Sequence, residues 1–124
     1  MGLCVLRRGE KNVYTLYAIW SKPLDSDIDA FEDHYTSTHA PLAAKVPNLR
    51  RFLTTRASEG LSGNDPAFYR VAEMSFQSRE ALMAAEQSSQ WADVRTDAAS
   101  MIERFGVTMS VAMGFTDQNN GGTL

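Results

Sequence analysis

Apolar positions along this chain fall into blocks that switch between a strand period and a helix period. Val13 to Trp20 (VYTLYAIW) is rich in β-branched and aromatic residues and predicts a strand buried on both faces. Lys22-Pro23 ends it. Asp25-Ser26-Asp27 then offers a helix N-cap and acids in the first turn, where the helix dipole favours them. Ile28, Phe31, Tyr35, Leu42 and Val46 recur at helical spacing and define a core-facing stripe. Pro41 interrupts that stripe, because proline lacks an N–H and crowds the preceding turn. A break is expected near Ala40, with Pro41 opening a second short helix.

Pro47-Asn48 closes the helical block, and Leu49 to Ala57 reads as a second strand. Ser58 to Pro66 (SEGLSGNDP) is dense in turn formers and predicts a hairpin connection rather than a phosphate loop, since no Gly-Lys-Ser/Thr follows. Ala67 to Gln77 is the third predicted strand. Its alternation puts Phe68, Ala72, Met74 and Phe76 on one face and Tyr69, Val71, Glu73 and Ser75 on the other. Ser78 caps a helix to about Glu86. Ser88-Ser89 caps another, with a stripe of Trp91, Val94, Ala98, Met101 and Ile102. Phe105 to Gly114 is the fourth strand, and Thr116 to Leu124 is polar and reads as a loose tail.

The resulting order, β-α-β-β-α-β, is the ferredoxin-like pattern of an α+β domain, with helices over one face of a four-stranded antiparallel sheet. The uncovered face, bearing Tyr69 and Val71, needs a partner. Isologous pairing of two sheets into a dimeric α/β barrel would provide one. The expected organisation is an extension over 1–12, one domain over 13–114 and a flexible tail over 115–124.

Composition narrows the partners. The 124 residues carry a formal net charge of −3, with acids and bases interspersed. No basic stripe exists to neutralise phosphates, so no nucleic acid or membrane partner is expected. Cys4 is the only cysteine, which suits a reducing compartment. Leu6 stands where myristoylation wants Ser or Thr, and the apolar run before Arg7-Arg8 is too short for a signal peptide. A cytoplasmic location is the expectation.

The run Phe31-Glu-Asp-His-Tyr35-Thr-Ser-Thr-His39-Ala-Pro-Leu42, followed by Val46-Pro-Asn-Leu-Arg-Arg-Phe52, resembles the signature of the EthD family. Asn48 replaces the glycine usual in that family's turn and also tolerates positive φ. Val71 to Ser78 resembles the family's third strand and helix entry, and the similarity spans Val13 to Gly114. The resemblance implies the dimeric barrel fold, and relatives that include polyketide-pathway decarboxylases and dehydratases. It implies no single reaction.

Candidate chemistry centres on His39. It follows Tyr35, the residue expected to orient the substrate oxygen, by four positions, on the helical face that carries the apolar stripe. Beside an apolar pocket a histidine can serve as general acid or base; in a core it would instead bond a carbonyl freed by Pro41. The resemblance implies the catalytic role, since a matching histidine is proposed as catalytic in some relatives. His34, five positions earlier, is expected on a different, exposed face, and the two make no metal site. Glu73, an acid in an apolar strand, either assists or pairs with Arg50, Arg56 or Arg70. Tyr17, Trp20, Phe31, Leu42 and Tyr69 are the expected substrate-binding residues. No cofactor is indicated. The leading expectation is a homodimeric enzyme acting on a small apolar, aromatic or polyketide-like molecule, by lyase, isomerase or oxidative chemistry. A non-catalytic binding or accessory protein is the alternative, and haem binding through His39 a third.

Overall fold

Helices cover one face of a four-stranded antiparallel sheet, as the alternating periods predict. The computed structural model describes residues 13–119. The expected extension over 1–12 and the last five residues of the tail lie outside them. β1 (Tyr14–Trp20) sits centrally between β3 (Arg70–Phe76) and β4 (Met109–Phe115), and β2 (Leu49–Arg56) flanks β3, giving the order β2-β3-β1-β4. The α+β, ferredoxin-like expectation holds. Four helical segments span Ile28–His34 (α1), Ala40–Ala43 (α2), Arg79–Glu86 (α3) and Ser89–Phe105 (α4).

Register aligns the helix-facing side chains in rows. Tyr14, Leu16, Ala18 and Trp20 of β1 lie opposite Phe76, Met74, Ala72 and Arg70 of β3. Two buried clusters result. One joins Tyr14, Leu16, Met74 and Phe76 to Ala43, Val46, Leu82 and Ala85. The other joins Trp20, Phe31, Tyr35 and Tyr69 to Ala98, Met101, Phe105 and Val107. Trp20, Phe31, Phe76 and Leu82 are wholly buried, and side chains of this size stabilise by roughly 1.5–3 kcal/mol each.

The serine caps behave as expected: Ser78 Oγ accepts from the Ala81 N–H at 3.0 Å, and Ser88 Oγ from the Trp91 N–H at 3.1 Å. Asn48 takes positive φ, at 66°. The Asp25-Ser26-Asp27 segment forms a 3-10 turn instead, with no side-chain capping bond.

Four expectations are corrected. The chain does not break near Ala40. Tyr35–His39 forms a π-helical turn, closed by the Ala40 N–H donating to the Tyr35 carbonyl, and α2 continues from it. A wider turn relieves the clash of the Pro41 ring with the carbonyl four residues back without ending the helix. Second, β3 starts at Arg70 rather than Ala67. Tyr69 precedes the strand, so the period-two rule does not govern it, and it packs in the helix-side core, 6% exposed. Third, Phe105 ends α4 instead of opening β4. Gly106 at φ 64° is its left-handed C-cap, and the strand starts at Met109. Fourth, Glu73 has no ion pair among the described residues; Arg56 and Arg70 both bind Glu32.

The helix-free face is built differently. Tyr17, Ile19, Val71 and Glu73 are only half-buried there, and Leu53 is 41% exposed. Thr15 is buried nonetheless, its hydroxyl bonded to those of Ser75 (3.1 Å) and Thr116 (2.6 Å). Among the described residues no helix is long and apolar enough to cross a membrane.

Candidate active site: a histidine–aspartate pair on an apolar cavity

The π turn sets the site. An α-helix points residues five apart in different directions, whereas a π turn, bonded i to i+5, brings them nearly into line. His34 and His39 bracket that turn and converge on one acid, Asp97 of α4. His39 Nδ1 lies 2.8 Å from Asp97 Oδ2, and His34 Nε2 lies 2.9 and 3.0 Å from the two carboxylate oxygens. The expectation that His34 faces elsewhere, on an exposed surface, is therefore wrong. An α-helical wheel was the wrong ruler for this segment.

The carboxylate only accepts hydrogen bonds, so Nδ1 of neutral His39 carries the proton and Nε2 is left with its lone pair. Burial is the largest influence on His39. It lowers the pKa from the ordinary 6.5, with His34 acting in the same direction, and outweighs the opposing pull of Asp97. His39 is a neutral base at physiological pH.

His39 and Tyr35 both line a cavity of about 340 Å³ between helices and sheet. Its walls are otherwise mostly apolar: Leu16, Ala72 and Met74 from the sheet, Ala43, Trp91 and Val94 from the helices. Trp20 Nε1 is the one side-chain polar atom among the described residues that is sealed off without a partner. Neither His39 Nε2 nor Tyr35 Oη has a hydrogen-bond partner among the described residues, and both residues line the cavity, where a ligand could supply one. Burial pushes the Tyr35 hydroxyl up to about 12, which keeps it a donor.

A second polar cluster supports the first. Glu32 accepts two hydrogen bonds from the Arg70 guanidinium, one of them 3.1 Å from Nε, and a third from Tyr69 Oη at 2.8 Å. Burial alone would raise the Glu32 carboxyl, but the Arg70 and Tyr69 bonds outweigh it and hold the group below its usual range. Arg70, so fixed, lies over the Tyr35 ring at 4.5 Å. Glu32 and Arg70 thus buttress the tyrosine.

Of the residues expected from sequence, the structure brings only Tyr35 and His39 to the cavity. Trp20, Phe31 and Tyr69 stand behind them in the aromatic core, Trp20 edge-on to His39 at 5.4 Å. Tyr17 and Glu73 lie across the sheet on the helix-free face, opposite each other in register. Leu42 yields its place to Ala43. Sequence reasoning missed Asp97. The available signal was an acid between Val94 and Met101, flanking the apolar stripe of α4. Among the described residues no cluster of His, Cys, Asp and Glu is arranged to hold a metal.

Residues 25–104 match the EthD domain. The chain is 31% identical over 106 residues to an uncharacterised 11.0 kDa protein encoded between thcB and thcC in Rhodococcus erythropolis, covering 86% of this chain and 95% of that one. A crystal structure of an ethyl tert-butyl ether degradation (EthD) family protein from Bacillus halodurans superposes with a TM-score of 0.64 at 28% identity, covering 81% of this chain and 96% of the other. The hydroxynitrile lyase of Passiflora edulis shares the fold at 13% identity, with a TM-score of 0.59 over 88% of this chain and 97% of that enzyme.

Proposed function

The chain belongs to the EthD family, and from that premise we propose that it is an enzyme that moves a proton on a small, largely apolar carbonyl compound. The observation that carries this reading is His39, bonded to Asp97 through Nδ1 while lining an apolar cavity, which leaves Nε2 for the substrate. Nε2 takes a proton from a carbon next to the substrate carbonyl, while Tyr35 Oη donates to the oxygen on which charge develops. The imidazolium formed is stabilised by Asp97; returning the proton to a different atom completes an isomerase-type turnover, and handing it to a group that departs from the adjacent carbon as the double bond forms completes a lyase-type one. A positioned acid/base group contributes about 10²–10⁴-fold. The substrate class is aromatic or polyketide-like, in keeping with the apolar walls and the cavity's size. That a hydroxynitrile lyase uses this fold supports lyase chemistry as something the scaffold accommodates.

Isotope exchange tests the reading directly. Incubated in D₂O with a panel of aromatic ketones and aldehydes bearing an α-hydrogen, the protein should speed deuterium uptake at that carbon for at least one compound. Mass spectrometry follows the uptake. Compounds that bind but never exchange would make the protein a carrier, not a catalyst.

The working form in this reading is a homodimer. Tyr17, Ile19, Val71 and Leu53 give the helix-free face an apolar character that a second copy would cover. Sedimentation equilibrium should return about twice the 13.7 kDa chain mass at micromolar concentration. A stable monomer would sink the pairing. The single cysteine and the absence of a membrane-crossing helix among the described residues support a cytoplasmic setting.

A further inference from the structure

Arg95 is the charged cavity-lining residue that the proton-transfer chemistry leaves unused. It is exposed and yet forms part of the wall, so it stands where the cavity meets solvent. Its charge has no carboxylate within ion-pair distance among the described residues. The sequence explains why. Acids reach a helical arginine from three or four positions away, and those positions hold Trp91, Ala92, Ala98 and Ala99. Asp97, two residues on, turns to a different side of α4 and is engaged by His34 and His39. Trp91, one helical turn before Arg95, lines the same cavity, so the two side chains are neighbours along α4.

We infer that Arg95 selects the substrate: the ligand is a flat aromatic molecule with an acidic group, a carboxylate or ionised phenol, that remains at the cavity mouth. The aromatic body occupies the apolar interior against Trp91 and reaches His39 and Tyr35. The anionic end stays at the rim, partly hydrated, paired with the guanidinium. Arginine suits that role, since its planar fork matches a carboxylate in two parallel bonds. The inference deepens the proposed function by naming its substrate class, and it rests on that reading only in taking the cavity as the ligand site.

Calorimetric titration with 2-naphthoate and 2-naphthamide, which differ in charge but little in shape, tests it. The native protein should bind the acid more tightly than the amide, with the difference shrinking as salt is raised. Arg95→Met keeps the apolar stem and removes the charge; it should weaken the acid by about ten- to a hundredfold and leave the amide unchanged. Arg95→Lys should retain an intermediate preference. Equal affinities in the native protein, equal losses for both probes in Arg95→Met, or no binding of either probe would overturn the assignment. Charge-selective binding by a protein that exchanges no proton would leave it standing while removing the proposed chemistry.

Discussion

His39→Gln is expected to lower turnover by about 10²–10⁴-fold while leaving substrate affinity nearly unchanged. Glutamine can keep one hydrogen bond to Asp97 and fill most of the imidazole's volume, so the fold should survive. It cannot present a basic nitrogen to the cavity. His39→Ala would confuse the two roles, because it also strips Asp97 of a partner and opens a void. The pH profile supplies an independent check. Burial lowers the His39 pKa below 6.5, so the active neutral form persists through neutrality and kcat/KM should fall only below that value. Stability follows the same direction. As pH drops, the unfolded chain takes up this proton before the folded one does, so the contribution is whole above about 6.5 and is lost as pH falls through the folded value. Full activity in His39→Gln on the true substrate would end the acid/base reading.

How much of this was legible in the sequence depended on which rule governed each segment. Where one period held across a whole element, as in the stripe of α4, the element and its buried face could be read directly; VYTLYAIW gave the strand but not its faces, since Tyr17 and Ile19, expected to be buried like the rest, are only half-buried. The serine caps were legible for the same local reason. Errors gathered where a local rule met a competing one. Pro41 is incompatible with a regular α-helix, but the backbone has two remedies, breaking or widening, and local chemistry does not choose between them. Packing chose. The widened turn kept Phe31, Tyr35 and Ala43 in contact with the core on either side of it, and the same choice brought His34 into line with His39. Asp97 was hidden for a related reason: it is far from both histidines in sequence, and only the docking of α4 beside the π turn makes them neighbours. Glu73 stood out as an acid in an apolar strand, yet the sheet places it on the face away from the cavity.

Asp97→Asn should cost turnover as much as losing His39 itself, about 10²–10⁴-fold, although Asp97 never touches the substrate. The native carboxylate accepts from both histidines at once, and that is what fixes Nδ1–H on His39. An asparagine offers one oxygen and one NH₂ group. Whichever histidine meets the NH₂ must accept rather than donate, and the strained alternative is a repelling pair of donors. If the amide nitrogen faces His39, the imidazole switches tautomer, its Nε2 acquires the proton, and the cavity faces a donor where it had a base. The imidazolium formed in turnover also loses its counter-charge. Asp97→Ala adds a stability loss of about 1–3 kcal/mol, since a buried imidazole nitrogen is left unpaired, and thermal melts would reveal it. His34→Ala is the control: it removes the other partner of Asp97 while leaving the His39 bond in place, so it should lower the melting temperature more than the turnover. The double variant His39→Gln/Asp97→Asn decides whether Asp97 acts through His39. Two groups serving one proton transfer are not additive, so the double variant should be no slower than the slower single one. Multiplying losses would mean that Asp97 stabilises the site by a route independent of the imidazole, and the pair would no longer be the working unit.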